Sequence, residues 1–141
     1  MGHPQESLTY LLQKAAKHSL AALEAALADL DLSARQFLFL ALVETHDELS
    51  QQDLAAKLSV DPTVVVKLVD QLEERGLVTR TRAADDRRQH RLALTKTGRA
   101  LLGDATTRQQ RAEREFTRAI GARRAELRTL LAEALAQSPA R

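Results

Sequence analysis

The sequence predicts one mainly α-helical domain over residues 1–141, with a small β-hairpin as a wing and a long helix at each end. Three observations support this fold class. Apolar residues recur at helical spacing through most of the chain. Two strand-like runs, 77–82 and 89–94, flank a polar turn at 84–88. Between residues 50 and 76, two helix-start signatures precede a glycine stop, which predicts a pair of helices directly ahead of the hairpin.

Composition excludes several classes of protein. Of the 141 residues, 44% are hydrophobic and 28% are charged, as in ordinary folded domains. With no cysteine, neither a disulfide framework nor a thiol sensor is expected. The four histidines lack metal-ligand spacing and no nucleophile elbow or P-loop occurs, so we expect no metal, no cofactor and no enzyme activity. No apolar run approaches the roughly 20 residues that span a bilayer and no secretory leader opens the chain, so we expect a cytoplasmic protein without membrane contact.

Both ends of the chain predict long amphipathic helices, at about 5–30 and 98–136. Gly121 is expected to bend or break the second one. The apolar stripes exceed what one small lobe can cover, so we expect them to join two copies of the chain in a homodimer. A monomer that folds its own ends together is the alternative. The residues expected in the dimer interface are Leu8, Leu11, Leu12, Leu127, Leu130, Leu131 and Leu135.

Three helix starts in the middle of the chain are marked by capping residues. Ser33–Gln36 fits a capping box, in which the serine hydroxyl accepts from a free backbone N–H and the glutamine reaches back. Ser50–Asp53 is a second cap signature. Asp61 can cap the third helix, with Pro62 at its first position, where a missing N–H has no cost. Gly76 is expected to end that helix in the left-handed conformation.

The helix that starts at Pro62 has two faces when each residue is turned by about 100°. The face predicted to be buried holds Val65, Leu68, Val69 and Leu72. The exposed face offers Thr63 and Lys67 near its start, with Val64 and Val66 on its flanks. Lys67 suits a guanine or a phosphate, either valine can pack on a thymine methyl, and the helix dipole favours phosphate at this end. The alternatives are valines that belong to the core and a solvated lysine.

Positive charge concentrates in the second half of the chain. The net charge is −4 over residues 1–50, −2 over 51–79 and +8 over 80–141, which together make the overall +2. Five arginines crowd in the hairpin: Arg80, Arg82, Arg87, Arg88 and Arg91. They outnumber the two aspartates of its turn, so neutralisation within a solvated turn, the alternative, does not account for them. A helix pair followed by a basic hairpin indicates duplex DNA as the partner.

The hairpin arginines suit two kinds of contact with DNA. We expect Arg88 to enter the narrow minor groove, with Asp86 holding its side chain in place. The arginines expected to contact phosphates are Arg82, Arg87 and Arg91.

Five sequence blocks resemble the MarR family of bacterial transcription regulators: 32–37, 52–58, 68–78, 86–88 and 94–98. The resemblance implies a homodimer in which each subunit presents a winged helix-turn-helix, here about 33–97, to a palindromic operator. It also implies a repressor released by a small, aromatic or phenolic ligand that binds between the dimer helices and the DNA-binding lobe. Thr63, Lys67 and Arg88 match the family pattern. Val64 and Val66 depart from it, because family members commonly have Ser or Thr there.

Two sets of site residues follow. The residues expected to contact DNA are Ser50, Gln52, Pro62, Thr63, Val64, Lys67, Gln71, Arg82, Arg87, Arg88 and Arg91. The residues suggested for a ligand pocket are Tyr10, His18, Phe37 and His46, each of which also fits plain core or surface. Two other functions stay open: a winged-helix module for protein–protein contact, and an architectural DNA binder without an effector.

Overall fold

The computed structural model describes residues 3–46, 48–83 and 86–137, and describes residues 83 and 86–90 by their backbone alone. Within these residues the chain forms six α-helices and a two-stranded antiparallel sheet, which confirms the predicted fold class. The elements are α1 (Leu8–Leu27), α2 (Ala34–Thr45), α3 (Gln51–Leu58), α4 (Pro62–Glu74), β1 (Val78–Ala83), β2 (Asp86–Leu94), α5 (Lys96–Phe116) and α6 (Arg124–Ala136). Short 3-10 segments lie at Pro4–Glu6, Ala28–Leu30 and Arg118–Arg123. None of the described helices combines the length and the hydrophobicity that a membrane span requires.

The predicted caps are confirmed at the starts of α2 and α3. The Ser33 hydroxyl accepts from the Gln36 N–H at 3.0 Å, and the Gln36 side chain accepts from the Ser33 N–H at 3.0 Å. Ser50 and Asp53 make the same reciprocal pair at 3.1 and 3.0 Å. Each box satisfies two backbone donors that the helix itself leaves unpaired. Both helix starts are therefore set by residues three apart in the sequence.

Some helix ends differ from the sequence prediction. The first helix stops at Leu27 and continues as a 3-10 turn to Leu30, and α5 already stops at Phe116, before the break expected at Gly121. The later break agrees with the one expected at Gly121, which has a φ of 49°. Gly76 ends the α4 turn with a φ of 70°, as expected. Ser59 also takes a left-handed conformation, which its side chain did not predict.

The hydrophobic core lies where the end of α1 meets α2, α3, α4, the base of the sheet and the first half of α5. Its largest fully buried side chains are Phe39, Leu27, Leu40, Leu54, Leu72, Val65, Val69 and Val78. No described residue of α6 is buried, and Leu27 is the buried residue of α1. The core therefore belongs to the winged part of the chain and the first half of α5, whereas α1 and α6 contribute little to it.

The terminal helices carry a large exposed apolar surface in the isolated chain. The seven leucines predicted for a dimer interface are all exposed, from 37% for Leu131 to 73% for Leu135. Phe116, at the end of α5, is 41% exposed as well. Stripes of this extent are typical of surfaces that another chain covers. The contact with a second copy itself stays a prediction.

The hairpin is longer than predicted, and its turn is shorter. Val78 pairs with Leu94 at its base, and the ladder continues to a pairing of Ala83 with Asp86 after an irregularity beyond Arg82. The prediction that 86–88 belong to the turn was therefore wrong, because β2 begins at Asp86. Backbone pairing continues almost to the connection, so the preference of aspartate for turns does not decide the structure there. Residues 84–85 of the predicted turn lie outside the described residues.

The base of the wing is fastened to the start of α5. The Thr95 hydroxyl donates to the Gly76 carbonyl at 2.6 Å and accepts from the Gly98 N–H at 2.9 Å. The Thr95 N–H donates to the Leu77 carbonyl at 3.0 Å. One threonine thus caps α5 and binds the end of the α4 turn, so the wing and the two helices on either side of it share one anchor.

Candidate DNA-binding surface

Helix α4 has the two faces that its sequence predicts. The four residues of the buried face are at most 6% exposed: Val65, Leu68, Val69 and Leu72. Thr63, Val66 and Lys67 are exposed on the other side. The expectation that Val64 is exposed as well was wrong, because it is half-buried and packs against the core. Val64 lies on the same side of the helix as Leu68, one turn later, so part of its side chain is removed from water.

The N-terminus of α4 is already occupied by a carboxylate. Asp61 accepts from the Thr63 N–H at 2.9 Å and from the Thr63 hydroxyl at 2.8 Å. These hydrogen bonds hold the pKa of the Asp61 carboxyl below its ordinary value. Because an anion sits at this helix end, the positive end of the helix dipole is not free to bind a phosphate. The hydroxyl proton of Thr63 is also engaged, so its oxygen can act toward DNA as an acceptor.

Ser50 and Gln52, the two DNA contacts predicted at the start of α3, differ in how free their side chains are to contact DNA. The Ser50 hydroxyl accepts from the Asp53 N–H and donates to the Asp53 carboxylate at 2.7 Å, and Ser50 is half-buried. Its first role is therefore to cap the helix. Those bonds from Ser50 hold the pKa of Asp53 below its ordinary value. Gln52 is exposed beside it.

Arg80 clamps the first strand of the wing to α4. Its guanidinium lies 2.6 Å from the Asp70 carboxylate and 3.0 Å from the Glu73 carboxylate, and the arginine side chain is 23% exposed. The bond to Asp70, more than that to Glu73, raises the pKa of Arg80. The clamp joins two acidic residues of α4 to β1, so it sets the position of the wing relative to the exposed face of α4. The arginine count of the hairpin did not reveal this pairing.

Arg82 and Arg91 stand on opposite faces of the hairpin. Arg82 pairs with His90 across the strands, and Arg91 belongs to the next pair toward the base of the hairpin, opposite Thr81. Directly opposed residues share a face and successive residues alternate, so the two arginines point away from each other. Both are exposed, and Arg91 makes an ion pair with Glu48 at 3.0 Å. Exposed pairs of this kind contribute little energy, so a phosphate can replace the glutamate.

Two predicted DNA contacts, Arg87 and Arg88, lie near the tip of the wing. The backbones of Asp86, Arg87 and Arg88 open β2. Their side chains lie outside what the structure describes, so minor-groove insertion by Arg88 and its orientation by Asp86 stay predictions. The remaining predicted contacts, Pro62 and Gln71, are exposed at the first turn of α4 and near its end, respectively.

A cleft of about 510 Å³ lies between the end of α1, the start of α2 and the end of α4. Its lining residues are Glu24, Ala28, Asp31, Leu32, Ser33, Gln36, Gln71, Glu74 and Arg75. The four residues suggested for a ligand pocket lie outside this cleft. Phe37 is 6% exposed in the core, whereas Tyr10, His18 and His46 are exposed on α1 and at the end of α2. Their role in ligand binding stays a prediction.

The sequence reading missed the residues that close this cleft. Arg75, at the end of α4, donates to the Asp31 carbonyl at 2.7 Å across a separation of 44 residues. The Glu24 carboxylate accepts from the Ala34 N–H at 3.0 Å. Neither contact has a local sequence signature, because each one forms only when separate elements pack together.

Comparisons with known proteins agree on one family. A model of the MarR family matches residues 32–90. The HTH-type transcriptional regulator YdgJ of Bacillus subtilis is 34% identical over 98 residues, which cover 70% of this chain and 58% of YdgJ. The chain spans about half to two thirds of the length of the curated relatives it matches.

Solved structures extend the similarity to nearly the whole chain. A MarR-family regulator from Rhodococcus sp. RHA1 superposes with a TM-score of 0.86 at 29% identity, over 99% of this chain and 100% of that one. CouR from Rhodococcus jostii RHA1, bound to p-coumaroyl-CoA, gives 0.85 at 31% identity, over 99% and 98%. CouR bound to a 23-mer DNA duplex gives 0.85 at 31% identity, over 97% of both chains.

Proposed function

This chain belongs to the MarR family of transcription regulators, and on that premise we propose that it is a sequence-specific DNA-binding repressor. It acts as a homodimer on a palindromic operator and is released by a small aromatic or phenolic ligand. The observation that carries the proposal is the Arg80 clamp, which holds the exposed face of α4 and the wing in one unit. A similar chain, CouR, has been solved on a DNA duplex.

In the proposed complex, α4 lies in the major groove and the wing reaches the adjacent minor groove. Thr63, Val66 and Lys67 face the base edges or the nearby phosphates. The opposite-facing Arg82 and Arg91 suit the two phosphate backbones that border the narrow groove, and Arg88 enters the groove itself. Direct base reading is modest, because the exposed face of α4 has few side chains that can make two hydrogen bonds to one base.

The proposed dimer is built from the terminal helices. Two copies related by a two-fold axis present their α4 helices to half-sites about 34–36 Å apart, one turn of the duplex. The exposed leucines of α1 and α6 supply the apolar contact. Light scattering of the purified protein tests this step, and replacement of Leu130 by aspartate should shift it toward the monomer.

The proposed effector is a small aromatic acid or phenol. The support is the CouR structure, whose bound p-coumaroyl-CoA is the CoA thioester of a phenolic acid. A thermal-shift screen against hydroxycinnamic and hydroxybenzoic acids, followed by release of labelled operator, tests the proposal. A compound that raises the melting temperature and releases DNA supports it. Operator binding that no compound of this class weakens would favour the architectural DNA binder.

DNA binding is tested by fluorescence anisotropy with a labelled duplex from the region upstream of the gene. We expect a steep loss of affinity with salt, and a preference for this duplex that survives excess competitor DNA. Lys67→Ala should reduce the difference in affinity between the operator duplex and the competitor duplex. Arg123→Ala is the matched control, because it also removes one positive charge, but from the segment between α5 and α6. It should leave the difference in affinity between the two duplexes unchanged. A wild-type protein that binds both duplexes equally would refute sequence-specific recognition, and one that binds neither would favour the protein-contact module.

A further inference from the structure

Val66 is an apolar side chain with an exposed position on α4. It is 40% exposed, whereas Val65 and Val69 on the same helix are fully buried. Val64 packs against the core, but Val66 belongs neither to the core nor to the described residues packed on it. It sits beside Lys67 and one turn after Thr63, on the flank of the exposed face of α4 that is proposed to face DNA.

The neighbours of Val66 offer little polar base recognition. The Thr63 hydroxyl donates to Asp61 at 2.8 Å, so its proton is unavailable to a base. Lys67 is a flexible point charge that suits a phosphate as well as a guanine. Val66 and Thr63 therefore offer methyl groups at this surface, and the Asp70 carboxylate, one turn further along α4, is engaged by Arg80 at 2.6 Å.

An apolar patch of this kind has one matching feature in the major groove. Thymine presents a 5-methyl group there, whereas the other bases present hydrogen-bonding atoms. Packing a valine on those polar atoms would remove them from water without replacing their hydrogen bonds, which is unfavourable. Packing it on a thymine methyl removes apolar surface from water on both sides.

We infer that Val66 contacts the 5-methyl group of a thymine in each operator half-site and specifies that base pair. The inference rests on the proposed DNA-binding function and adds the base that α4 reads. The contact is apolar, so its contribution is largely independent of salt, in contrast to the contacts of Lys67 and the wing arginines.

Replacement of single thymines by deoxyuridine tests this contact, since it removes one methyl and keeps the hydrogen-bonding edge. For the wild-type protein we expect one position per half-site at which affinity falls by about fourfold, or about 0.8 kcal/mol for one buried methyl. Val66→Ala should bind the thymine operator more weakly, and its affinity should no longer change when deoxyuridine replaces thymine at that position. Val66→Thr, which keeps the shape of the side chain, should lose part of the response.

Lys67→Ala is the matched control, because it lowers affinity from the neighbouring position without removing a methyl contact. It should bind more weakly overall and keep the full response to deoxyuridine. The inference is overturned if Val66→Ala keeps the wild-type response, or if no thymine position responds while the wild-type protein still prefers its operator. That second result leaves the proposed function intact. A wild-type protein without any operator preference, measured before a base is replaced, overturns both.

Discussion

Gly98 offers the sharpest test of how the wing is joined to the rest of the fold. It lies in the first turn of α5, where a Cβ atom would stand 2.0 Å from the Leu77 carbonyl oxygen. The two elements would have to separate by about 1 Å to reach even a tight 3.0 Å contact. The obstacle is backbone rather than a flexible side chain, so local rotation cannot relieve it. Gly98→Ala should therefore displace α5 from the base of the wing.

The cost follows from what that displacement disturbs. Overpacking of a close contact typically costs about 1–3 kcal/mol. The two Thr95 hydrogen bonds to the Leu77 and Gly76 carbonyls span the same junction, and each contributes about 1 kcal/mol. Alanine regains about 0.5–1 kcal/mol of helix propensity over glycine. The expected net loss is about 2–4 kcal/mol, a large part of the stability of a small domain.

Gly103→Ala is the matched control, because it makes the same substitution in the same helix. A Cβ at Gly103 meets nothing within 4 Å, so this variant should be stabilised by helix propensity alone. Urea unfolding followed by circular dichroism measures both variants, at one protein concentration because the proposed dimer would make stability depend on concentration. We expect the free energy of unfolding to fall for Gly98→Ala and to rise for Gly103→Ala. If Gly98→Ala unfolds within about 0.5 kcal/mol of the wild type, the close contact at the wing junction is not real.

Three further predictions concern the wing, the clamp and acid pH. Arg88→Ala should weaken operator binding severely while the melting temperature stays unchanged, and unchanged affinity at moderate salt would refute minor-groove insertion. Arg80→Ala should lower the free energy of unfolding by about 1 kcal/mol or less, because the partners of Arg80 are exposed. Its effect on operator affinity should be larger, because the substitution releases the wing and leaves two carboxylates unpaired near the DNA. An operator affinity equal to that of the wild type would show that the clamp does not position the wing. The pKa of Asp61 is lower in the folded chain than its ordinary 3.8, so its contribution to stability is full above that value and lost as pH falls through the folded pKa. Melting temperatures between about pH 6 and about pH 2 should therefore fall less for Asp61→Asn than for the wild type, and parallel curves would contradict the cap assignment.

Local signals allowed much of this fold to be predicted. Capping boxes join residues three apart, so Ser33 and Ser50 marked the starts of α2 and α3 without any knowledge of tertiary structure. Pro62 and Gly76 likewise mark helix boundaries through their own backbone preferences. The two faces of α4 followed from helical geometry, which places Val65 and Val69 on one side.

Features that depend on packing could not be predicted in this way. The half-burial of Val64 depends on how closely the neighbouring helices approach it. Ser59 is left-handed as the C-cap of α3, where its N–H donates to the Ala55 and Ala56 carbonyls. The cleft beside Arg75 exists only because α4 ends next to the turn after α1. Pattern reading has no access to such distances.

The charge of the hairpin was overestimated from the sequence, because Arg80 was counted in the positive cluster although it was not among the expected DNA contacts. The structure separates the hairpin arginines by their partners. Arg80 is held by two carboxylates of α4 and serves as a structural clamp, Arg91 has an exposed partner that a phosphate can displace, and Arg82 is exposed on the opposite face. The acids that bind Arg80 and Arg91 come from outside the hairpin, so a count restricted to the hairpin overstates its free positive charge. Each contact to a phosphate contributes about −0.9 to the slope of log K against log salt, so the wing should contribute fewer units of slope than it has arginines.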